Sequence, residues 1–175
     1  GSAFGFEPMS ETQKAAARLA LATWADVANI RFVEVADSSN FGDGGQIRFG
    51  QNYQYSSSGF GYYPSTWPSG GDIYIAKNVS ANTSPIPGDR GFLTLVHEVG
   101  HAIGLKHPGN YDSSGDGTEG PYLSATEDTN RYSIMSYNRQ DFSDYNTYVA
   151  APALYDVAAV QYLYGANTGV RAGDD

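Results

Sequence analysis

All three histidines of this 175-residue chain fall in one short run, His97-Glu98-Val99-Gly100-His101-Ala102-Ile103-Gly104-Leu105-Lys106-His107, and Pro108 follows at once. That spacing restricts what the segment can fold into. Residues four apart on an α-helix lie one turn above each other on one face, so a helix through His97 and His101 aims both imidazoles at one point. Gly104 stands where such a helix ends, and glycine takes the left-handed conformation that turns the chain sharply. His107 can then swing back as a third ligand. Catalytic zinc keeps three protein ligands and an open position for water, whose pKa it lowers to about 7. Glu98, adjacent to the first ligand, is placed to take that water's proton. The short pattern H-E-x-x-H recurs by accident, but the extended form, with the glycine and third histidine at fixed offsets, is far more specific. A purely structural zinc site usually fills its fourth position with Cys or His, and the chain has neither a Cys nor a fourth His.

Composition narrows the partners. A net charge of -9 argues against non-specific nucleic-acid binding and against an anionic membrane surface. No apolar run approaches the length of a membrane span, so no membrane insertion is expected. With no cysteine, disulfides are excluded and the redox compartment stays open. The plentiful Gly, Tyr, Ser and Asn suggest a loop-rich globular chain, and residues 1–175 are expected to form one domain, with Gly1-Ser2 read as an expression scar.

Along the chain, Ser10 to about Asn29 reads as a first, scaffold helix: Ser10 with Gln13 fits a capping box, and Leu19, Trp24 and Val27 recur near helical spacing. Ile30–Val35 and Gln46–Phe49 are expected strands, and Asp72–Ala76 a third, rich in Ile and Tyr. Gln51–Gly61 and Tyr62–Gly71 are read as loops. If the third strand lies at the sheet's rim beside the metal, its free backbone groups can pair with an extended peptide. Phe92, Leu95, Val96 and Val99 supply a buried stripe for the metal-bearing helix. Pro108–Asn130 is a loop whose Asp112, Asp116, Glu119, Glu127 and Asp128 raise calcium binding. The partial match to an EF-hand loop at Asp112, Ser114, Asp116 and Gly117 lacks the twelfth-position glutamate, since Leu123 stands there, and a solvated acidic loop is preferred. Ala151–Tyr164 reads as a last helix closed by Gly165.

These segments together resemble the catalytic domain of serralysins, secreted bacterial zinc metalloproteases of the metzincin clan. The resemblance is carried by Trp24–Ile30, Gly71-Asp72-Ile73, His97–Gly109 with Pro108 after the third histidine, Glu127-Asp128-Thr129, Ser133–Tyr137 and Leu154–Gly165. It implies an α+β metzincin-type fold: a mostly antiparallel twisted sheet with an active-site helix, a scaffold helix and a C-terminal helix. It implies zinc on His97, His101 and His107, Glu98 as base, and Met135 as a Met-turn beneath the metal. Tyr137 would match a tyrosine that ligates zinc at rest and moves off to stabilise the oxyanion, and Ile73, Tyr74, Ile75 and Ala76 the edge strand that receives substrate. Asp156 matches an acidic position of the last helix with a supporting role. Family members continue into a calcium-binding β-roll whose nonapeptide repeats do not occur here, so beside the zinc, calcium is a cofactor that the resemblance leaves open. Asn138 stands where relatives often have a bulky aromatic.

The expectation is therefore a secreted, extracellular, monomeric zinc endopeptidase acting on extended protein or peptide substrates. The competing reading is a peptide-binding or adhesion-associated module that keeps fold and metal without turnover. The intact Glu98 weighs against it.

Overall fold

Helix α1 (Glu11–Val27) begins where the sequence signals it. The Ser10 hydroxyl accepts from the Gln13 amide while the Gln13 side chain accepts from the Ser10 amide, so two N–H groups that the helix leaves unpaired are satisfied. Its buried face is narrow and made of small residues, Ala16, Ala17 and Ala20, with Trp24 at the end, whereas Leu19 points outward. Small side chains let α1 lie close to α2 (Arg90–Ala102), and the Trp24 indole N–H donates to the Val96 carbonyl at 3.0 Å. α2 is capped by Asp89, whose carboxylate accepts from the Phe92 amide at 2.7 Å. The computed structural model that gives this architecture describes residues 4–36, 38, 44–111, 120–139 and 147–169.

Three short strands form one sheet in the order β1 (Phe49–Asn52), β3 (Ile73–Ala76), β2 (Gly59–Gly61). The β2–β3 pair is antiparallel, and the β1–β3 pair is parallel because the chain runs out through β2 and back before β3 is laid down. Helix α3 (Leu154–Tyr164) closes the chain against α1, and its Tyr164 hydroxyl donates to the Ile103 carbonyl at 2.7 Å. The core lies between α1, α2 and the sheet: Trp24, Ile73, Ile75, Phe92, Leu95, Val96, Val99, Ile134 and Met135. The arrangement is an α+β one, three helices with a small mixed sheet.

Four local expectations are corrected. Ile30–Val35 pairs with no strand among the described residues. Ile30 and Phe32 pack against the core, Val33 and Val35 are exposed, and the segment is tied to α1 by the Arg18–Glu34 ion pair, so among the described residues no strand lies beside it to complete a ladder. The strand expected at Gln46–Phe49 starts only at Phe49, and the segment read as a loop, Gln51–Gly61, contains the rest of β1 and all of β2. Most consequential, Ile73–Ala76 is the central strand rather than the rim.

Candidate metal centre

Each imidazole of the triad is oriented by a backbone carbonyl behind it. His97 Nδ1 lies 2.9 Å from the Ile134 oxygen, His101 Nδ1 2.8 Å from the Leu105 oxygen, and His107 Nδ1 3.2 Å from the Tyr111 oxygen. A carbonyl oxygen can only accept, so every Nδ1 carries the proton and every Nε2 of a neutral ring is left with a bare lone pair. Those three lone pairs face one another: His107 Nε2 is 3.2 Å from His97 Nε2 and 3.0 Å from His101 Nε2. Three acceptors at such distances repel unless a cation sits among them. Two nitrogens bound about 2.1 Å from a tetrahedral zinc lie about 3.4 Å apart, so the donor set fits that ion with little movement. Among the described residues this is the one cluster of three metal-ligating groups.

The turn after α2 creates the geometry. Gly104 has φ 105°, a region that other residues rarely enter, and the Leu105 amide bonds back to the Gly100 carbonyl at 2.9 Å. The chain thereby returns His107 to the helix face and places the Leu105 carbonyl behind His101. All three histidines are buried. Burial, then the neighbouring His101, keeps the His97 pKa well below the usual imidazole range, which favours the neutral form that binds metal.

Met135 is buried against α2, its sulfur 2.4 Å from where a side chain on Gly100 would begin. Gly100→Ala is therefore expected to overpack the helix against Met135 and Trp24 and to destabilise the protein by about 1–3 kcal/mol, read by urea denaturation. Tyr137 lies over the triad, its ring centroid 4.4 Å from His107 and 5.7 Å from His97, and it is partly open to solvent.

Glu98 is buried beside β2 and belongs to no ligand set. Burial pushes its carboxyl up to about 8 against the Gly61 amide that donates to it, and a dication at the triad acts in the opposite direction. β2 runs directly over this turn of α2: a side chain on Gly61 would begin 2.6 Å from the Glu98 carbonyl oxygen. The ladder bonds of β2 explain its other edge. Ser58 and Tyr62 bond to β3 through Ala76 and Asp72, so in the antiparallel alternation Gly59 and Gly61 direct their backbone groups away from the sheet. The rim beside Glu98 is thus Gly59–Gly61, and Ile73, Tyr74, Ile75 and Ala76 are shielded from it by β2 and β1 on either side. The sequence signal for this strand was the Gly-Phe-Gly alternation, which turn-like composition on its N-terminal side concealed.

Asp156 acquires a definite place. It is 2% exposed, and its carboxylate accepts from the Ser133 hydroxyl at 2.6 Å, the Ile134 amide at 2.6 Å and the Ala153 amide at 2.8 Å. Asp128 is buried and so does not belong to a solvated acidic loop, whereas Glu127 is half-buried and accepts from Tyr155 and Ser124. The other acidic residues raised for calcium, Asp112, Asp116 and Glu119, lie outside the described residues. No described helix is long and apolar enough to cross a membrane.

Comparison with known proteins bears on this centre. A family model described as metallo-peptidase family M12B, reprolysin-like, matches residues 48–169. Serralysin G of Dickeya chrysanthemi is 41% identical over 97% of this chain and 37% of its own length. Serralysin of Proteus mirabilis is 39% identical over 95% of the chain and 37% of its own length. Metalloprotease AprA of Pseudomonas entomophila is 40% identical over 97% of the chain and 36% of its own length. The chain thus spans little more than a third of these relatives.

Proposed function

Because the chain belongs to the reprolysin-like metallopeptidases of family M12B and is serralysin-like over nearly its whole length, we propose that it is the catalytic domain of a secreted zinc endopeptidase. The observation that carries this reading is the convergence of three Nε2 atoms whose Nδ1 protons are all committed to carbonyls. His97, His101 and His107 would hold the zinc, which when bound supplies a Lewis acid for a scissile carbonyl and lowers the pKa of water.

The chain's own residues supply the rest. Glu98 takes a proton from the attacking water and returns it to the leaving amine, and the Gly61 amide keeps its carboxylate in place. Tyr137 offers its hydroxyl to the oxyanion of the tetrahedral intermediate. An extended substrate adds to the sheet along Gly59–Gly61, where backbone groups face away from β3, rather than along Ile73–Ala76. Met135 gives the centre a packed, inert floor.

The test is elemental analysis of the purified chain together with cleavage of an unfolded protein, with and without chelator. The expected result is about one zinc per chain, cleavage that chelator stops and zinc restores. Zinc-loaded protein that binds peptide but never cleaves it overturns the reading in favour of a non-catalytic module.

A further inference from the structure

Asp128 lies 6% exposed beneath the segment that follows Met135, and its carboxylate gathers two hydroxyls and a side-chain amide. Oδ1 accepts from Tyr111 Oη at 2.7 Å and from Ser136 Oγ at 2.6 Å, while Oδ2 accepts from Asn138 Nδ2 at 3.0 Å. Each hydroxyl has a single proton, and both protons point at the carboxylate. Their lone pairs are therefore turned the other way, where Tyr111 Oη accepts the Tyr137 amide and Ser136 Oγ accepts the Asn138 amide, both at 3.1 Å. Two consecutive backbone amides are pinned in this way, and with them the direction in which the Tyr137 side chain leaves the backbone.

Tyr111 acts on the metal centre at two further points. Its ring stacks on the Tyr137 ring, centroids 4.9 Å apart at 22°, and its carbonyl oxygen faces His107 Nδ1 at 3.2 Å. The chain between His107 and Tyr111 folds tightly enough that a side chain on Gly109 would begin 2.1 Å from the Tyr111 ring and 2.4 Å from Asp128 Oδ2. A displacement of Tyr111 therefore moves a ligand and the Tyr137 ring together.

We propose that Tyr111 and Asp128 form a positioning unit that holds the Tyr137 side chain in register with the His107 imidazole. The inference rests on the reading above that Tyr137 meets the reacting centre. Tyr111 touches neither substrate nor metal in this scheme. It acts through Tyr137 and His107, and Asp128 acts through Tyr111 and Ser136. A carboxylate that merely filled a buried hydrogen-bonding gap would affect stability and leave the chemistry of folded molecules alone.

The experiment uses the full zinc-loaded chain and its copper(II)-substituted form. Tyr111→Phe keeps the ring and the main-chain carbonyl and removes only the hydroxyl. Its kcat on a peptide substrate is expected to fall about 10- to 100-fold with KM unchanged. A phenolate approaching copper(II) gives a charge-transfer absorption band, expected in wild type, absent in Tyr137→Phe, and shifted or weakened in Tyr111→Phe. Asp128→Asn gives a second reading should Tyr111→Phe fold poorly, because its NH2 meets donors in either orientation, Asn138 Nδ2 in one and the Tyr111 and Ser136 hydroxyls in the other, so the three bonds cannot all be kept; a fall in kcat and a change in the band in the same direction are expected. Wild-type kcat and an unaltered band in folded Tyr111→Phe or Asp128→Asn, beside a slowed and bandless Tyr137→Phe, overturn the positioning unit alone. A Tyr137→Phe variant as fast as wild type overturns the role of Tyr137 and the unit with it.

Discussion

Glu98→Gln is expected to lower kcat on an unfolded protein substrate by about 10²- to 10⁴-fold while the zinc content stays at the wild-type level. The side chain is buried, next to His97 in sequence, and outside the three-nitrogen cluster, so its loss removes no ligand. Glutamine has nearly the same volume and keeps an oxygen that can accept the Gly61 amide, so β2 stays seated on α2. What disappears is the ability to accept a proton from water and to hand it to the leaving amine. Elemental analysis and steady-state kinetics on one preparation separate the two functions. A wild-type rate would remove Glu98 from the mechanism. A parallel loss of zinc would instead make it part of the metal cage.

This part of the site was legible from the sequence because it is local. Helical periodicity alone carries His97 and His101 to one face, and a glycine at 104 is needed to return His107, so the three clustered histidines and the Glu98 beside them could be read without knowing any distant contact. The same holds for α1, whose Ser10–Gln13 box is a short-range signal and forms as expected. The rim of the cleft was not legible in that way. Strands of three or four residues carry little intrinsic preference, and their identity is set by which segment lies beside them. Ile73–Ala76 looked like a strand and is one, but its central place depends on the pairing of both β1 and β2, which no pattern within the segment encodes. Ile30–Val35 had the stronger β composition and received no partner among the described residues. Tyr111 and Asp128 were hidden for the same reason. Each sits in a stretch without apolar periodicity, and only the crossing of residues 107–111 with 128–138 brings the hydroxyls, the carboxylate and the ligand together.

The largest effect on folding is expected at Asp156, far from His97 in sequence and two hydrogen bonds from it in space. Its carboxylate receives the Ile134 amide, and the Ile134 carbonyl receives His97 Nδ1, so the peptide groups around one buried residue pass the constraint from α3 to the first ligand. The same carboxylate also holds the Ser133 hydroxyl and the Ala153 amide that opens α3. Burial works to raise the Asp156 pKa and these donors work to lower it, with burial the larger influence. Truncation in Asp156→Ala strands three donors where water scarcely reaches, and a buried donor left unsatisfied costs about 1–3 kcal/mol. Partial rehydration of the resulting gap offsets some of that sum. A loss of about 3 kcal/mol or more is expected in urea denaturation of the metal-free protein. Measured without metal, this loss belongs to the fold and cannot be credited to weaker zinc binding. Zinc affinity, measured separately by competition with a chelator under conditions where the variant is folded, is expected to fall about 10- to 100-fold because His97 loses the fixed carbonyl behind it. Asp156→Asn keeps one acceptor oxygen and should fall between alanine and wild type in both measurements. Equal stability with weakened zinc binding would confine Asp156 to the metal centre. Reduced stability with wild-type affinity would show that Ile134 is held against His97 by its own packing, since its side chain is fully buried in the core, and that the hydrogen bond from its amide adds nothing to the ligand.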